Sequence, residues 1–402
     1  MSRLTIIFLT IFIDLIGFGI VLPLLPFYAQ DFGATPLIIG LIVAIHPAMQ
    51  FLFGPLWGRL SDRVGRRPIL LIGLLGSGLS YLLFALATNL GWLIASRIMQ
   101  GIAGANIPVA QAYIADNTDL EDRTRGMGLV GAAFGLGVIA GPAIAGALVN
   151  FGYAVPGFFA AAISLVNAGA AYFYLPESLS PEARARAVAR PAAGPLGRLT
   201  LAMRFARRPA IGTLMSIFLA ATFVFAAFTT IFPLWIGVKL GYDARHAGYL
   251  LAYLGLIMAV LQGRLIGPLA RQFGERRLLV AGTTTLIVAY LLLPLAGALV
   301  TVCAVLLLVA GGSGLNWPTL SSLASQYAEI DSQGAILGVM QSLSALGRMA
   351  GAAWAGWVFG AWMPAAPYLL SAAIMSLAAA LAVLFMLRAP PPPAKAKPMA
   401  PI

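Results

Sequence analysis

Residues 54–67 of the chain read Gly-Pro-Leu-Trp-Gly-Arg-Leu-Ser-Asp-Arg-Val-Gly-Arg-Arg and lie at the end of a long apolar stretch. The pattern Gly-x-x-x-Gly-x-Leu followed by Gly-x-Arg returns at residues 263–276, again at the end of an apolar stretch. The equivalent placement of one pattern in each half of the chain indicates two structural repeats. Two repeated halves with a binding site between them are typical of membrane transporters.

The composition is that of a membrane protein. Of the 402 residues, 60% are hydrophobic and only 9% are charged, whereas soluble domains average roughly 25% charged residues. This excludes a soluble enzyme, a disordered chain and a nucleic-acid-binding module, although the net charge is +12. A span needs roughly 20 apolar residues, and we predict an all-α membrane protein with twelve of them. The predicted spans are 4–29, 37–58, 69–88, 91–115, 127–149, 153–175, 209–238, 246–269, 278–297, 299–326, 335–360 and 364–387.

The basic residues indicate how the chain is oriented and divided. Connections on one side of the spans are rich in arginine, whereas the other side carries only Lys239 and Arg245. The positive-inside rule then places both termini in the cytoplasm. We predict a first six-helix bundle (1–175), a cytoplasmic linker (176–208), a second six-helix bundle (209–387) and a cytoplasmic tail (388–402). The linker is expected to be partly helical along the membrane surface, and the proline-rich tail to be extended.

Four motifs carry a family resemblance. The connection 58–67 resembles the loop signature of the major facilitator superfamily, and Leu-x-x-x-Arg-x-x-Gln-Gly at 93–101 resembles its fourth-helix signature. Gly-x-x-x-Gly-Pro-x-x-x-Gly at 137–146 is similar to the fifth-helix motif of the antiporter branch. Asp-Leu-Ile-Gly-Phe-Gly-Ile-Val-Leu-Pro at 14–23 resembles the first helix of twelve-span drug–proton antiporters. The resemblance covers almost the whole chain and is closest to the tetracycline exporters.

This resemblance implies a major facilitator fold, two pseudo-symmetric six-helix bundles around a central cavity, in a monomer of the bacterial inner membrane. The implied function is proton-coupled efflux of small amphipathic drugs or metabolites by alternating access. The expected partners are that substrate and membrane lipid, not nucleic acid, and the proton is the coupling ion, with no other cofactor and no enzymatic activity. Two alternatives stay open: a dedicated exporter of one endogenous metabolite, such as a siderophore or lipid-like anion, and an uptake symporter or facilitator.

Asp14 and Arg97 are charged residues predicted within spans, where ionisable side chains are functional by default. Asp14 lies about ten residues, or ~15 Å, from the start of span one. We expect it to take up a proton on one side of the membrane and to release it on the other. The resemblance implies that Arg97 helps to control this protonation. The alternatives are a carboxyl fixed by hydrogen bonds at a helix contact and an arginine that satisfies backbone carbonyls.

Two further motifs concern the movement of the halves. By resemblance, Asp62, Arg66 and Asp116 at helix ends form a gate latch that stabilises the outward-facing state, paired in one conformation and separated in another. The helix-five motif recurs on nearly one face of its span, where small residues allow close helix approach. Its role would be to seal the cavity and to favour exchange over leak; generic helix packing is the alternative. The motif consists of Gly137, Gly141, Pro142 and Gly146.

Polar and aromatic residues that lie within the predicted apolar spans are candidate substrate contacts. Part of this set is expected to form interhelical hydrogen bonds instead, and His46 is also a possible second proton carrier. The set contains His46, Gln50, Asn106, Gln111, Tyr249, Arg264, Asn316, Trp317, Gln341 and Arg348.

The chain also departs from the tetracycline-exporter pattern. That group carries membrane acids in the third and ninth helices, where this chain has Ser80 and Leu286, which disfavours tetracycline–metal complexes as substrate. Arg264 and Arg348 add positive charge to two spans, so three arginines would oppose one aspartate. We therefore hypothesise a preference for neutral, zwitterionic or anionic amphiphiles over lipophilic cations. Two histidines and one cysteine leave no recognisable metal cluster,.

Overall fold

The computed structural model describes residues 3–118, 123–180, 182, 184, 203–328 and 333–390. Most of the predicted linker and the tail beyond Pro390 therefore lie outside the described residues, and so does the predicted surface helix. The regular elements of the described chain are helices. They are α1 (Arg3–Asp31), α2 (Pro36–Val64), α3 (Arg66–Ala85), α4 (Leu90–Ala103), α5 (Ile107–Asp116), α6 (Arg123–Leu148), α7 (Ala154–Tyr174), α8 (Pro209–Leu240), α9 (Ala244–Val260), α10 (Ile266–Phe273), α11 (Glu275–Leu292), α12 (Leu299–Tyr327), α13 (Gln333–Ala361) and α14 (Ala366–Arg388).

These helices make twelve crossings. In the described chain, ten stretches are long and apolar enough to span a membrane, one of them running from α9 through α10. The other two crossings are α4 with α5, which a turn interrupts, and α13, whose apolar sequence is diluted by Gln341, Ser342, Ser344 and Arg348. The predicted twelve-span fold is confirmed.

The two sets of six crossings pack in the same way. In the first half, α1 packs on α6 and α7, α3 on α4 and α7, and α2 on α4. In the second half the equivalent pairs recur, because α8 packs on α13 and α14, α11 on α12 and α14, and α9 on α12. One apolar core extends through both halves, and a smaller one, which includes Ile7, Leu70 and Tyr113, holds the first half together near the linker.

Span four is broken, which the sequence analysis did not predict when it drew 91–115 as one stretch. Pro108 has no backbone N–H to donate to the carbonyl of Gly104, four residues earlier, and its ring crowds that carbonyl. The chain leaves the helix at 104–106. Two side chains of α2 donate hydrogen bonds to the carbonyls that lose their helical donors. Gln50 Nε2 donates to Gly104 O (3.2 Å), and Trp57 Nε1 donates to Ile102 O (2.6 Å). The break is therefore stabilised by the neighbouring helix.

The halves meet along two helix pairs, α2 with α13 and α6 with α9. We call the end of the bundle at which Tyr174 joins the linker the linker end, and the opposite end the distal end. Contact is close in the distal half. A Cβ built on Gly40 would lie 2.6 Å from the Ala352 carbonyl oxygen, and one on Gly248 would lie 2.7 Å from the Pro142 carbonyl oxygen. Glycine lets these backbones touch.

The same helix faces are open at the linker end. Gly58 lies eighteen residues beyond Gly40, about five turns, and so shares its face of α2, yet a Cβ on Gly58 would meet no atom of the described residues within 4 Å. The same holds on α13 for Gly338, eighteen residues before the closely packed Gly356. The halves therefore touch at the distal end and diverge toward the linker end.

We expect Gly356→Val to open the distal end, because the new side chain would press on the backbone of Pro36 and Gly40. Spin labels at the exposed distal positions Thr88 and Val300, in a Cys303→Ala background, should report a longer and broader distance distribution.

Gly338→Val is the matched control, since its face of α13 is open at that depth, and it should leave the distance unchanged. Equal distances in all three proteins would contradict the close packing described for the distal end.

Candidate functional site

Asp14 lies in the middle of α1 with its carboxyl turned toward α3. Its Oδ1 is buried and has no hydrogen-bond partner among the described residues, while Ser77 of α3 interacts with the carboxyl group. The ring of Tyr81, one turn further along α3, covers the same stretch of α1: a Cβ on Gly17 would lie 2.5 Å from ring atom Cε2. Gly17 thus makes room for a tyrosine beside the carboxyl.

Tyr81 connects Asp14 to span four. Its hydroxyl donates to the backbone oxygen of Asp14 at 3.4 Å and accepts from Gln100 Nε2 at 2.8 Å. The side chain is 1% exposed, so water does not replace these contacts. Sequence reasoning missed both Tyr81 and Gln100 as members of this cluster, although Gln100 belongs to the quoted fourth-helix motif.

Arg97 is 3% exposed and lies over the Phe84 ring, 5.7 Å from its centroid. Its Nε and Nη2 are buried without hydrogen-bond partners within the described chain. In that part of the chain no carboxylate lies within 4.0 Å of the guanidinium. The expected influence of Arg97 on Asp14 therefore does not take the form of an ion pair within the described chain. We call Asp14, Ser77, Tyr81, Arg97 and Gln100 the Asp14 cluster.

A second polar group crosses between the halves. Arg348 of α13 donates from Nη1 to Ser344 Oγ (2.5 Å) and from Nη2 to Gln50 Oε1 of α2 (3.3 Å). Gln50 also donates to the Gly104 carbonyl at the break of span four. We call Gln50, Ser344 and Arg348 the bridge. A cavity of about 80 Å³ lies against it, also lined by Gln111, Gln341 and Ser342.

The other substrate candidates lie elsewhere. Asn106 and Asn316 are buried and fill equivalent notches, Asn106 against Gly73 of α3 and Asn316 against Gly282 of α11. A Cβ on either glycine would collide with the asparagine amide, so both side chains face a neighbouring helix.

Three aromatic candidates also pack on helices. His46 is buried and stacks on Phe18 with a centroid separation of 5.1 Å. Trp317 meets the edge of Phe225 on α8, and Tyr249 lies at the distal end beside Gly146. Among the polar candidates, Arg264 is exposed, in a π-helical turn (Leu261–Leu265) between α9 and α10.

The helix-five motif serves two interfaces rather than the single face that was expected. A Cβ on Gly137 would lie 2.6 Å from Leu15 Cβ, and Gly141 is equally close to Gly19, so both pack on α1. Gly146 and the carbonyl of Pro142 instead contact α9 of the second half. The motif joins the helix that carries Asp14 to the closed distal contact between the halves.

The predicted latch residues come together at the linker end. Arg66 pairs with Asp62 (Nη1–Oδ1 2.5 Å) and with Asp116 (Nε–Oδ2 3.2 Å). All three belong to the first half, and this pairing occurs while the halves are apart at that end.

Residues just after α7 complete this cluster, and sequence reasoning missed their role. Glu177 accepts from the backbone N–H groups of Arg66 (2.9 Å) and Arg67 (3.2 Å) and so caps α3,. Gly65 has φ +123°, and a Cβ there would collide with the Glu177 carboxylate. Ser178 Oγ donates to Asp116 Oδ2 at 3.0 Å. Glu177 and Ser178 belong to the Pro-Glu-Ser sequence at 176–178, which could have been interpreted as a helix cap.

The equivalent corner of the second half has different charges. Glu275 replaces the arginine that follows the turn glycine, and it accepts from Ser322 Oγ and Gln326 Nε2, both at 2.8 Å. Arg276 donates to the carbonyl oxygens of Ala389 (3.0 Å) and Pro390 (2.5 Å). Within the described residues, the two halves thus share a scaffold but not these charge pairs.

Known proteins resemble this chain along most of its length. The family model described as Major Facilitator Superfamily matches residues 7–352 and, in a second alignment, 264–401. The class C tetracycline resistance protein of Escherichia coli is 34% identical over 354 residues, 87% of this chain and 88% of that protein. Multidrug resistance protein 2 of Bacillus subtilis is 31% identical over 357 residues, 87% and 86% of the two chains. The crystal structure of the human organic anion transporter MFSD10 is 27% identical with a TM-score of 0.72, covering 94% of this chain and 98% of that one.

Asp116→Asn should destabilise the protein more than Asp62→Asn. The Asp116 side chain is 23% exposed and accepts from both Arg66 and Ser178, whereas that of Asp62 is 46% exposed, and exposed pairs contribute little. In detergent, we expect Asp116→Asn to lower the midpoint of thermal unfolding by roughly 2–4 °C and Asp62→Asn to leave it nearly unchanged. A larger loss for Asp62→Asn would show that the exposed pair carries the cluster.

Proposed function

The chain belongs to the major facilitator superfamily, and from that premise we propose that it exports small amphipathic drugs or metabolites in exchange for protons. It is an integral membrane transporter, and the proposal concerns its coupling, direction and substrate. The Asp14 cluster carries it: a carboxyl with an unpartnered buried oxygen lies beside a tyrosine and near an arginine with unpartnered N–H groups. Uncompensated polar groups are costly in such a place, and intramembrane ionisable residues are functional by default.

The proposed coupling step is a change of charge on Asp14. Protonation removes a negative charge from α1, which the helix-five motif ties to the contact between the halves. Substrate binding competes with this proton or follows its release. Tyr81 links α1 to span four through its hydrogen bonds to the Asp14 backbone oxygen and to Gln100, so each protonation state of Asp14 favours a different packing of α1, α3 and span four.

The orientation follows from the arginines at the linker end. We propose that this end faces the cytoplasm, by the positive-inside rule, with both termini there. The conformation described above is then open to the cytoplasm and closed on the far side. Bacterial relatives, the tetracycline and multidrug resistance proteins, support placement in a bacterial inner membrane.

The latch and the helix-five motif have proposed roles in switching. We propose that Asp62, Arg66 and Asp116 stabilise the outward-facing state when the linker ends close, and Asp62, about half exposed, is the member free to turn toward the second half. The close packing of Gly146 and Pro142 on α9 supports a seal at the far side, which favours exchange over leak.

We propose a chemical class of substrate and not a single compound. The relatives include tetracycline and multidrug resistance proteins and an organic anion transporter, which together support a small amphipathic molecule as the substrate. Ser80 and Leu286, the positions without acids, are fully buried against other helices, which supports leaving tetracycline–metal complexes aside. We propose a monomer in lipid, with the proton as its coupling ion. A dedicated exporter of one metabolite and an uptake symporter are the alternatives that transport assays separate.

Asp14→Asn should abolish flux driven by a pH gradient, because the amide cannot exchange a proton. The measurement is transport in proteoliposomes with a cationic dye, tetracycline and an anionic amphiphile, comparing native protein and variant. Substrate exchange at equal pH on both sides should persist in the variant, which shows that it is folded and inserted.

Gradient-driven flux that continues unchanged in Asp14→Asn would remove Asp14 from proton coupling and turn attention to His46. Accumulation in the direction opposite to the proposal, inward with protons, would instead favour the symporter alternative.

Tyr81→Phe should weaken coupling without unfolding the protein. The ring keeps its contact with Gly17, but the hydroxyl between Asp14 and Gln100 is lost. A net hydrogen bond contributes about 1 kcal/mol, so we expect gradient-driven flux to fall by about fivefold to tenfold and its pH profile to shift. An unchanged pH profile alongside reduced flux would assign Tyr81 a packing role only.

A further inference from the structure

We propose that the bridge is a carboxylate-binding site, in which Arg348 recognises the anionic head of the exported substrate at the contact between the halves. The inference rests on the proposed export function and names its substrate class. The Arg348 guanidinium lies within α13 and donates to two neutral acceptors, Ser344 Oγ (2.5 Å) and Gln50 Oε1 (3.3 Å). Within the described chain no carboxylate lies within 4.0 Å of it.

Among the described residues, Arg348 lacks the carboxylate partners that Arg66 has. Arg66, at a helix end, pairs with two carboxylates, Asp62 and Asp116. Arg348, inside a span, has greater need of a counter-charge, because a charged side chain in the membrane is costly unless it is paired. A guanidinium presents five N–H donors in a planar fork that matches a carboxylate. An incoming carboxylate would supply both the missing charge and the missing acceptors.

The adjoining cavity has room for such a group. Its volume is about 80 Å³, well above the roughly 10–15 Å³ that one water needs, so it has room for a carboxylate. Gln111 and Gln341 add amide groups to its wall, and Gln341 is exposed toward the open linker end. The head of an amphipathic acid would therefore enter the cavity while its apolar body stays in the wider opening.

Binding at this site would also act on the contact between the halves. The hydrogen bond from Arg348 to Gln50 joins α13 to α2, and the other end of Gln50 supports the break in span four. A carboxylate that takes over the Arg348 fork releases Gln50 Oε1 and loosens this connection. Substrate loading thus favours relative movement of the halves, as a ligand must if it is to shift a conformational equilibrium.

The test uses the full-length protein in detergent and a matched pair of fluorescent probes, dansylated undecanoic acid and its carboxamide. Affinity is measured by fluorescence titration with no pH gradient. The native protein should bind the acid about tenfold more tightly than the amide, since charge-assisted hydrogen bonds are roughly twice as strong as neutral ones. Arg348→Gln should erase this preference, because it weakens binding of the acid more than binding of the amide.

Gln50→Glu tests the same site by a different route. It also removes the donor to the Gly104 carbonyl, so retained affinity for the amide probe serves as the check that the variant is folded. The new carboxylate would pair with Arg348 and act as an internal competitor, so the preference for the acid should again disappear. Arg271→Gln removes an exposed positive charge at the end of α10 and is the control for net charge; it should keep the native preference.

Equal affinity of the native protein for acid and amide would overturn the proposal, and so would a preference that survives both Arg348→Gln and Gln50→Glu. Because binding is measured without a gradient, the result is independent of proton coupling. Loss of the acid preference with intact Asp14-dependent flux would reject the site alone. An intact preference with Asp14-independent flux would reject the coupling proposal alone.

Discussion

The carbonyl of Gly104 is the constraint on which the arrangement of the central residues depends. Pro108 deprives it of its helical donor, and in lipid a backbone oxygen cannot turn to water. The Gln50 amide supplies the donor. Since Nε2 is used there, Oε1 faces the other way, toward Arg348,. A proline in span four thus fixes the orientation of an amide in α2, and the amide in turn holds an arginine of the opposite half.

Three arginines of this chain differ in their hydrogen-bond partners, and this difference distinguishes a structural role from a functional one. Arg66 has two carboxylates and a hydroxyl, and it holds helix ends together. Arg97 is as deeply buried, but in the described part of the chain it leaves two nitrogens without partners, and Arg348 has only neutral partners there. Folding alone would favour apolar residues at the last two positions. Their retained charge is therefore an argument for a ligand or a proton at each of these places.

The sequence predicts the crossings well, because hydropathy and charge alone require long apolar helices. It also predicts that Asp62, Arg66 and Asp116 meet, since the motif at 58–67 places the first two at helix ends and Asp116 follows the predicted span four. It does not predict Tyr81 between Asp14 and Gln100, because that contact depends on the rotation of α3 against the notch at Gly17. For the same reason the sequence suggests Asn106 as a substrate contact, whereas in the structure its amide fills the space beside Gly73. A polar residue in a span has several neighbours available, and tertiary packing chooses among them.

Repetition of the scaffold makes the unequal distribution of charge informative. Both halves place a buried asparagine against a glycine and pack their helices in the same pairs. Only the first half, within the described residues, carries an acid in the middle of a span, whereas Asp243 and Glu275 of the second half lie at helix ends. The second half contributes Arg348 instead. A symmetric framework can rock about its centre, but proton and substrate are distinguished only if their sites differ, and we propose that the chemistry of each lies in a different half.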